Sequence, residues 1–105
     1  MIGYITLGTD DLTRSAYFYD LLFAALGAAR AMEADDFIAW GKEGSAAMFS
    51  IHLPADGNPA TVGNGVMIAL VLESREQVDE IHRRALELGA MDEGQPGPRG
   101  DSGFY

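Results

Sequence analysis

One stretch of this chain occurs twice, and a repeat constrains architecture more than any single motif. The first copy starts at Ile2 and reads IGYITLGTDDLTRSAYFYDLLFAALGA; the second starts at Gly65 and reads GVMIALVLESREQVDEIHRRALELGA. Each is a run of strand formers, a polar cap, an amphipathic helix and a Leu-Gly-Ala stop. Leu12 and Ser74 open the two helices, and Gly27 and Gly89 close them, at a common offset of 62 residues. Two copies are too few for a solenoid, so the repeat predicts one pseudo-symmetric domain of two similar halves.

Several classes are excluded early. A chain of 105 residues with 48% hydrophobic and 22% charged residues is one small globular domain. Its net charge of -9 repels phosphate backbones, which argues against nucleic acid. It has no cysteine, so disulfides, thiolate catalysis and Cys-ligated metals are all ruled out. The longest uncharged apolar run, Leu21–Ala29, is far short of a membrane span. The N-terminus enters a strand pattern without a basic leader, and a cytoplasmic protein is expected.

Along the first half, Ile2–Thr9 reads as a strand with Ile5 and Leu7 on one face and Tyr4 and Thr6 on the other. Thr9, Asp10 or Asp11 can cap the next helix. There Leu12, Ala16, Tyr19, Phe23 and Leu26 form one apolar stripe. Ala28–Met32, Phe37–Trp40 and Ala46–Leu53 read as strands. Pro54–Asn64 is the linker, so the halves run over about 1–54 and 65–105. In the second half Val66–Leu72 is a strand apolar on both faces, Ser74 to Gln77 is a capping box, and Val78, Ile81, Ala85 and Leu88 form the buried stripe. Asp79 with Arg83 and Glu80 with Arg84 are helix-spaced pairs. Ala90-Met91 starts a further strand. The two helices are expected to pack on the outer face of the sheet through Ile5, Leu7, Ile68 and Leu70.

The predicted class is α+β: two βαβββ-type halves whose mixed sheet curls around a cleft, helices outside. The pattern strand, Asp11-Leu12, Ser15-Ala16, Phe18-Tyr19, then Leu26-Gly27-Ala28 resembles the vicinal oxygen chelate superfamily, which includes glyoxalase I, bleomycin-resistance proteins and extradiol dioxygenases. The likeness covers essentially the whole chain and is of the glyoxalase-related type.

In metal-using members of that superfamily, the first strand of each half supplies a ligand, typically a His seven residues before the Asp of the Asp-Leu pair. Here those positions are Tyr4 and Met67. Neither suits a hard or borderline divalent cation, so no metal is expected between them, and no cofactor. Tyr4, Trp40, Met48, Ser50, His52 and Met67 are the candidate lining of a mostly apolar small-molecule cleft. His52 is the candidate base or ligand-binding group, with a loop-bonded strand end as its structural reading; His82 reads as a surface residue. The implied function is small-molecule binding. The alternatives are a metal-dependent lyase or dioxygenase of the superfamily, or an oligomerisation module.

By the repeat, the second half lacks its last two strands within these residues, roughly 15–20 residues' worth. The sheet edge left open is expected to be covered by further chain or by a homodimer.

Overall fold

The first half folds as a sheet with a helix on one face. In a computed structural model describing all 105 residues, the elements are β1 (Tyr4–Gly8), α1 (Leu12–Ala24), β2 (Ala29–Glu33), β3 (Phe37–Gly41), β4 (Met48–His52) and α2 (Arg75–Glu87). The sheet order is β1-β4-β3-β2, with β1 parallel to β4 and the other neighbours antiparallel. The result is an α+β fold with a curled, mixed, unclosed sheet. All three middle strands form within two residues of their sequence-predicted ends.

Residues Met1–Ile68 form one compact unit and Ala69–Tyr105 a second. In the first, Asp11 is the helix cap: its carboxylate accepts from the Arg14 amide at 3.1 Å. The other two candidates serve elsewhere. Thr9 Oγ1 accepts from the Asp11 amide, and Asp10 accepts from the Ala60 amide at 2.7 Å. That last bond ties the 54–64 segment down, and Ala60 lies close enough to Gly8 that a Cβ there would approach its methyl to 3.3 Å. Gly27 follows the helix at φ 75°, the left-handed turn expected of it.

Strand alternation sends Ile5, Leu7, Ile38, Trp40, Phe49 and Ile51 to the side of α1. The apolar stripe of α1 meets them. Ala16, Leu22, Phe23, Ile38, Trp40 and Ile51 are all buried. Tyr19 and Phe23 lie 4.7 and 5.0 Å from the Phe49 ring, and Phe23 lies 5.8 Å from Trp40 in an edge-on arrangement. Such pairs add about 0.5–1.5 kcal/mol beyond area burial.

The buried indole needs a partner for its N–H, and Asp20 supplies it at 2.9 Å. The same carboxylate accepts from Arg30 at 2.9 and 2.7 Å, and Arg30 also donates to Glu33. The hydrogen bond from Arg30, reinforced by that from Trp40, holds the Asp20 carboxyl below its usual range despite partial burial. Its contribution is therefore fully present above the unfolded value, about pH 3.9, and is lost as pH falls through the lower folded value. Stability of Asp20→Asn should thus fall less steeply than wild type below about pH 4. With the Asp20 side chain 37% exposed, screening keeps that difference small. Superimposable acid-unfolding curves for the two proteins would contradict this.

The second half of the sequence departs from expectation in three ways. Val66–Leu72 and Ala90-Met91 form no strand; only an isolated bridge, Arg99 to Phe104, occurs there. The residue types favour strand, but a strand also requires a neighbour to satisfy its backbone groups. Ile68 and Leu70 are 37% and 44% exposed, so they are not the buried helix contacts expected of them, while Ile5 and Leu7 are half-buried on the α1 side of the sheet. The third departure is α2 itself, which has no fully buried residue, because its unit contains no sheet to receive Val78, Ile81, Ala85 and Leu88.

The Ser74 cap forms, accepting from the Gln77 amide at 3.1 Å, while the Gln77 side chain accepts from the Glu73 amide. The N-caps Asp11 and Ser74 put the repeat offset at 63 residues, one more than the closing glycines give, and both helices span 13 residues. The ion pairs shift too. Arg83 takes Glu80 and Glu87, and Asp79 instead accepts from the Tyr105 hydroxyl at 2.6 Å.

Candidate functional site

The face of the sheet away from α1 is where chemistry could occur. Alternation places Tyr4 and Thr6 of β1 on it, with Met48, Ser50 and His52 of β4 and Phe37 and Ala39 of β3. Met32 of β2 joins them opposite Ala39. None of these strand residues is Asp, Glu, Lys or Arg. The charged residues of β2, Arg30 and Glu33, fall on the α1 side because their partners are Trp40 and Ile38.

His52 is the polar centre of this face. Its Nδ1 lies 2.8 Å from Thr6 Oγ1 across the β1–β4 ladder. A hydroxyl can donate or accept, so Thr6 holds the ring in either tautomer and leaves Nε2 as the second hydrogen-bonding nitrogen. His52 is half-buried, flanked directly across β3 by Phe37. Ser50 is 2% exposed, and its hydroxyl donates to the Ile5 carbonyl at 2.7 Å, so that group is committed to the backbone. Tyr4 is 65% exposed and presents its phenol to solvent.

Four of the six sequence candidates therefore share one face: Tyr4, Met48, Ser50 and His52. Trp40 does not. It lies on the opposite face, 2% exposed beneath α1, because it is an odd number of residues from Phe37 and Ala39 along the strand. Met67 is 79% exposed and outside the sheet. Thr6, Phe37 and Met32 were absent from the candidates. Alternation with Tyr4 could have found Thr6; Phe37 and Met32 needed the cross-strand register.

A divalent cation can be tested against these donors. The face offers one imidazole and no carboxylate, and both hydroxyls nearest His52 are engaged. Nowhere in the chain do three or more His, Asp or Glu side chains converge. That donor set does not fit the three or more N, O or S ligands such cations take. In the second unit His82 Nε2 lies 3.2 Å from Asp92, whose carboxyl is lowered chiefly by the Gly94 amide. This is a helix-to-loop contact.

The arrangement defines a class: a small α+β protein with an open, curled sheet, one face packed by a helix and the other bearing a nearly neutral surface. No protein-family model matches the sequence. No curated protein matches it significantly either. Solved structures do. A glyoxalase/bleomycin resistance protein from Albidiferax ferrireducens T118 is 32% identical with a TM-score of 0.84, over 94% of this chain and 82% of that one. A candidate glyoxalase from Bacillus halodurans, 19% identical with a TM-score of 0.58 over 85% and 69% of the two chains, shares the fold. The chain belongs to the glyoxalase/bleomycin resistance protein family, within the vicinal oxygen chelate superfamily. No helix is long and apolar enough to cross a membrane.

Proposed function

We propose that this chain binds a small, uncharged, flat organic molecule on the face of the sheet that carries His52, and does so without a divalent metal. The observation that carries the reading is the combination of an uncharged strand face with one imidazole oriented by Thr6. Tyr4, Phe37, Met32 and Met48 supply apolar contact, and His52 Nε2 supplies one directional hydrogen bond. Such a surface suits a neutral aromatic ring with a single polar substituent. The net charge of -9 further disfavours anionic ligands. A homodimer in the cytoplasm completes the reading.

Thermal melts test it. Neutral aromatic compounds bearing one hydroxyl or carbonyl should raise the melting temperature saturably. At about 100 times the dissociation constant, a ligand that binds only the folded form contributes about 2.7 kcal/mol. His52→Ala should weaken that binding roughly tenfold, the value of one directional hydrogen bond of about 1.4 kcal/mol. Thr6→Val, which frees the ring, should weaken it less. A saturable, stoichiometric rise with Zn²⁺, Ni²⁺, Mn²⁺ or Fe²⁺, abolished by Tyr4→Phe, would overturn the metal-free reading. Equal ligand affinity in His52→Ala would overturn the site.

A further inference from the structure

An asparagine side chain ends in a carboxamide that the backbone nitrogen of the next residue can attack. This chain has two asparagines, Asn58 and Asn64, and the structure places them in opposite situations. Asn58 precedes Pro59, whose nitrogen is closed into its ring and has no hydrogen to lose. Its own amide and carboxamide are also bonded to Asp56, at 2.9 and 3.1 Å. Asn64 precedes Gly65, which has no Cβ to shield its nitrogen.

Little restrains Asn64. The turn from Gly63 to Val66 is closed by one backbone bond, from the Val66 amide to the Gly63 carbonyl at 3.2 Å, and Gly65 sits in it at φ 91°. Neither the Gly65 N–H nor the Asn64 carboxamide makes a hydrogen bond. Both residues are exposed, and no atom lies within 4 Å of where a Cβ on Gly65 would stand, so water and hydroxide reach the amide. Asp56-Gly57 has the same spacing but is protected. The Gly57 amide donates to the Pro54 carbonyl at 3.1 Å. Hydrogen bonds from the Asn58 backbone, then its side chain, hold the Asp56 carboxyl below its usual range, and an ionised carboxylate is a poor electrophile.

We propose that Asn64 is a site of spontaneous deamidation in the folded protein. Hydroxide takes the Gly65 amide proton, and the nitrogen lone pair attacks Asn64 Cγ. A Cγ–N bond forms and closes a succinimide ring. The Cγ–Nδ2 bond breaks, and its nitrogen leaves as ammonia after taking a proton from water. Water then adds to either ring carbonyl. Breaking the new Cγ–N bond gives aspartate; breaking the original backbone bond gives isoaspartate, whose chain continues through Cγ. One water is consumed and one ammonia released, and nothing is oxidised or reduced. Either product places a negative charge within residues 57–72, a stretch that has no Asp, Glu, Lys or Arg. The isoaspartate form also lengthens the backbone of the turn by a methylene.

The test is to incubate the full chain in mildly alkaline buffer, with near-ultraviolet circular dichroism from Trp40 recorded throughout to show that it stays folded. Trypsin, cutting after Lys42 and Arg75, then releases residues 43–75 with both asparagines in one peptide. That peptide should gain about 1 Da, the mass difference between an amide and a carboxyl group. Fragmentation should place the gain at Asn64, and anion exchange should show a matching species with one more negative charge. The rate should rise with pH, because the attacking nitrogen must first lose its proton. Since only one backbone bond has to open, the folded chain should react within about tenfold of a free peptide of residues 61–67. Asn64→Gln, whose longer side chain must close a larger ring, should abolish the gain. Reaction of the folded chain more than about tenfold slower than the peptide overturns the proposal, as does a gain located at Asn58 or one that persists in Asn64→Gln. Should Asn64→Gln lose its Trp40 signal, the wild-type map decides: a gain at Asn64 supports the site, and an unchanged Asn64 overturns it.

Discussion

Replacing Trp40 with alanine is expected to destabilise the first unit by about 3–5 kcal/mol. The indole is 2% exposed and packs against Tyr19 and Phe23 of α1 and Phe49 of β4. Its removal leaves a cavity that three rings and a β-sheet cannot collapse to fill. It also takes one hydrogen bond from Asp20, but Arg30 still satisfies that carboxylate, so the packing loss dominates. Natural domains have about 5–15 kcal/mol in total, so a loss of this size should bring the unit close to unfolding at room temperature. Urea titration followed by far-ultraviolet circular dichroism measures it. A loss under about 1 kcal/mol would mean that Trp40 is not beneath α1 and that the strand faces are reversed, since a one-residue slip moves every side chain across the sheet.

Ile51→Ala should cost about 2–5 kcal/mol by the same route. Ile51 is 1% exposed and sits opposite Leu7 of β1 and Ile38 of β3, at the centre of the α1-facing layer. Its neighbours are themselves held by the ladder on both sides, so they have little room to relax. Tyr17→Ala, on the 66% exposed outer side of α1, should stay within about 0.5 kcal/mol and serves as the control. Comparable losses at positions 51 and 17 would show that α1 does not pack on this sheet through the face assigned to it.

Met48, Ser50 and His52 were legible as a set because β4 alternates cleanly and ends at Pro54, so their common face follows from period two alone. Trp40 was misplaced for a related reason. Parity relates residues within a strand, but it does not say which parity of β3 matches which parity of β4. Only the register, Trp40 opposite Phe49 and Ala39 opposite Ser50, assigns Trp40 to the helix side. The Thr6–His52 bond was hidden more deeply, since its members are 46 residues apart and become neighbours only when β1 inserts beside β4.

The order and approximate limits of β1 to β4, both helices, the Ser74 cap and the family resemblance were determined by sequence alone, and Asp11 was one of the three residues the sequence offered as the first cap. These depend on local chemistry: alternation, a 3.6-residue stripe, Asp11 and Ser74 as acceptors for free helix amides, and Gly27 and Gly89 at positive φ. Tertiary structure alone decided which elements found partners. Val66–Leu72 has the composition of a strand but no neighbouring edge, and α2 has an amphipathic stripe but no sheet in its unit. Propensity is a property of a segment, whereas pairing and burial belong to two surfaces at once, and the second surface is not written in the segment that needs it.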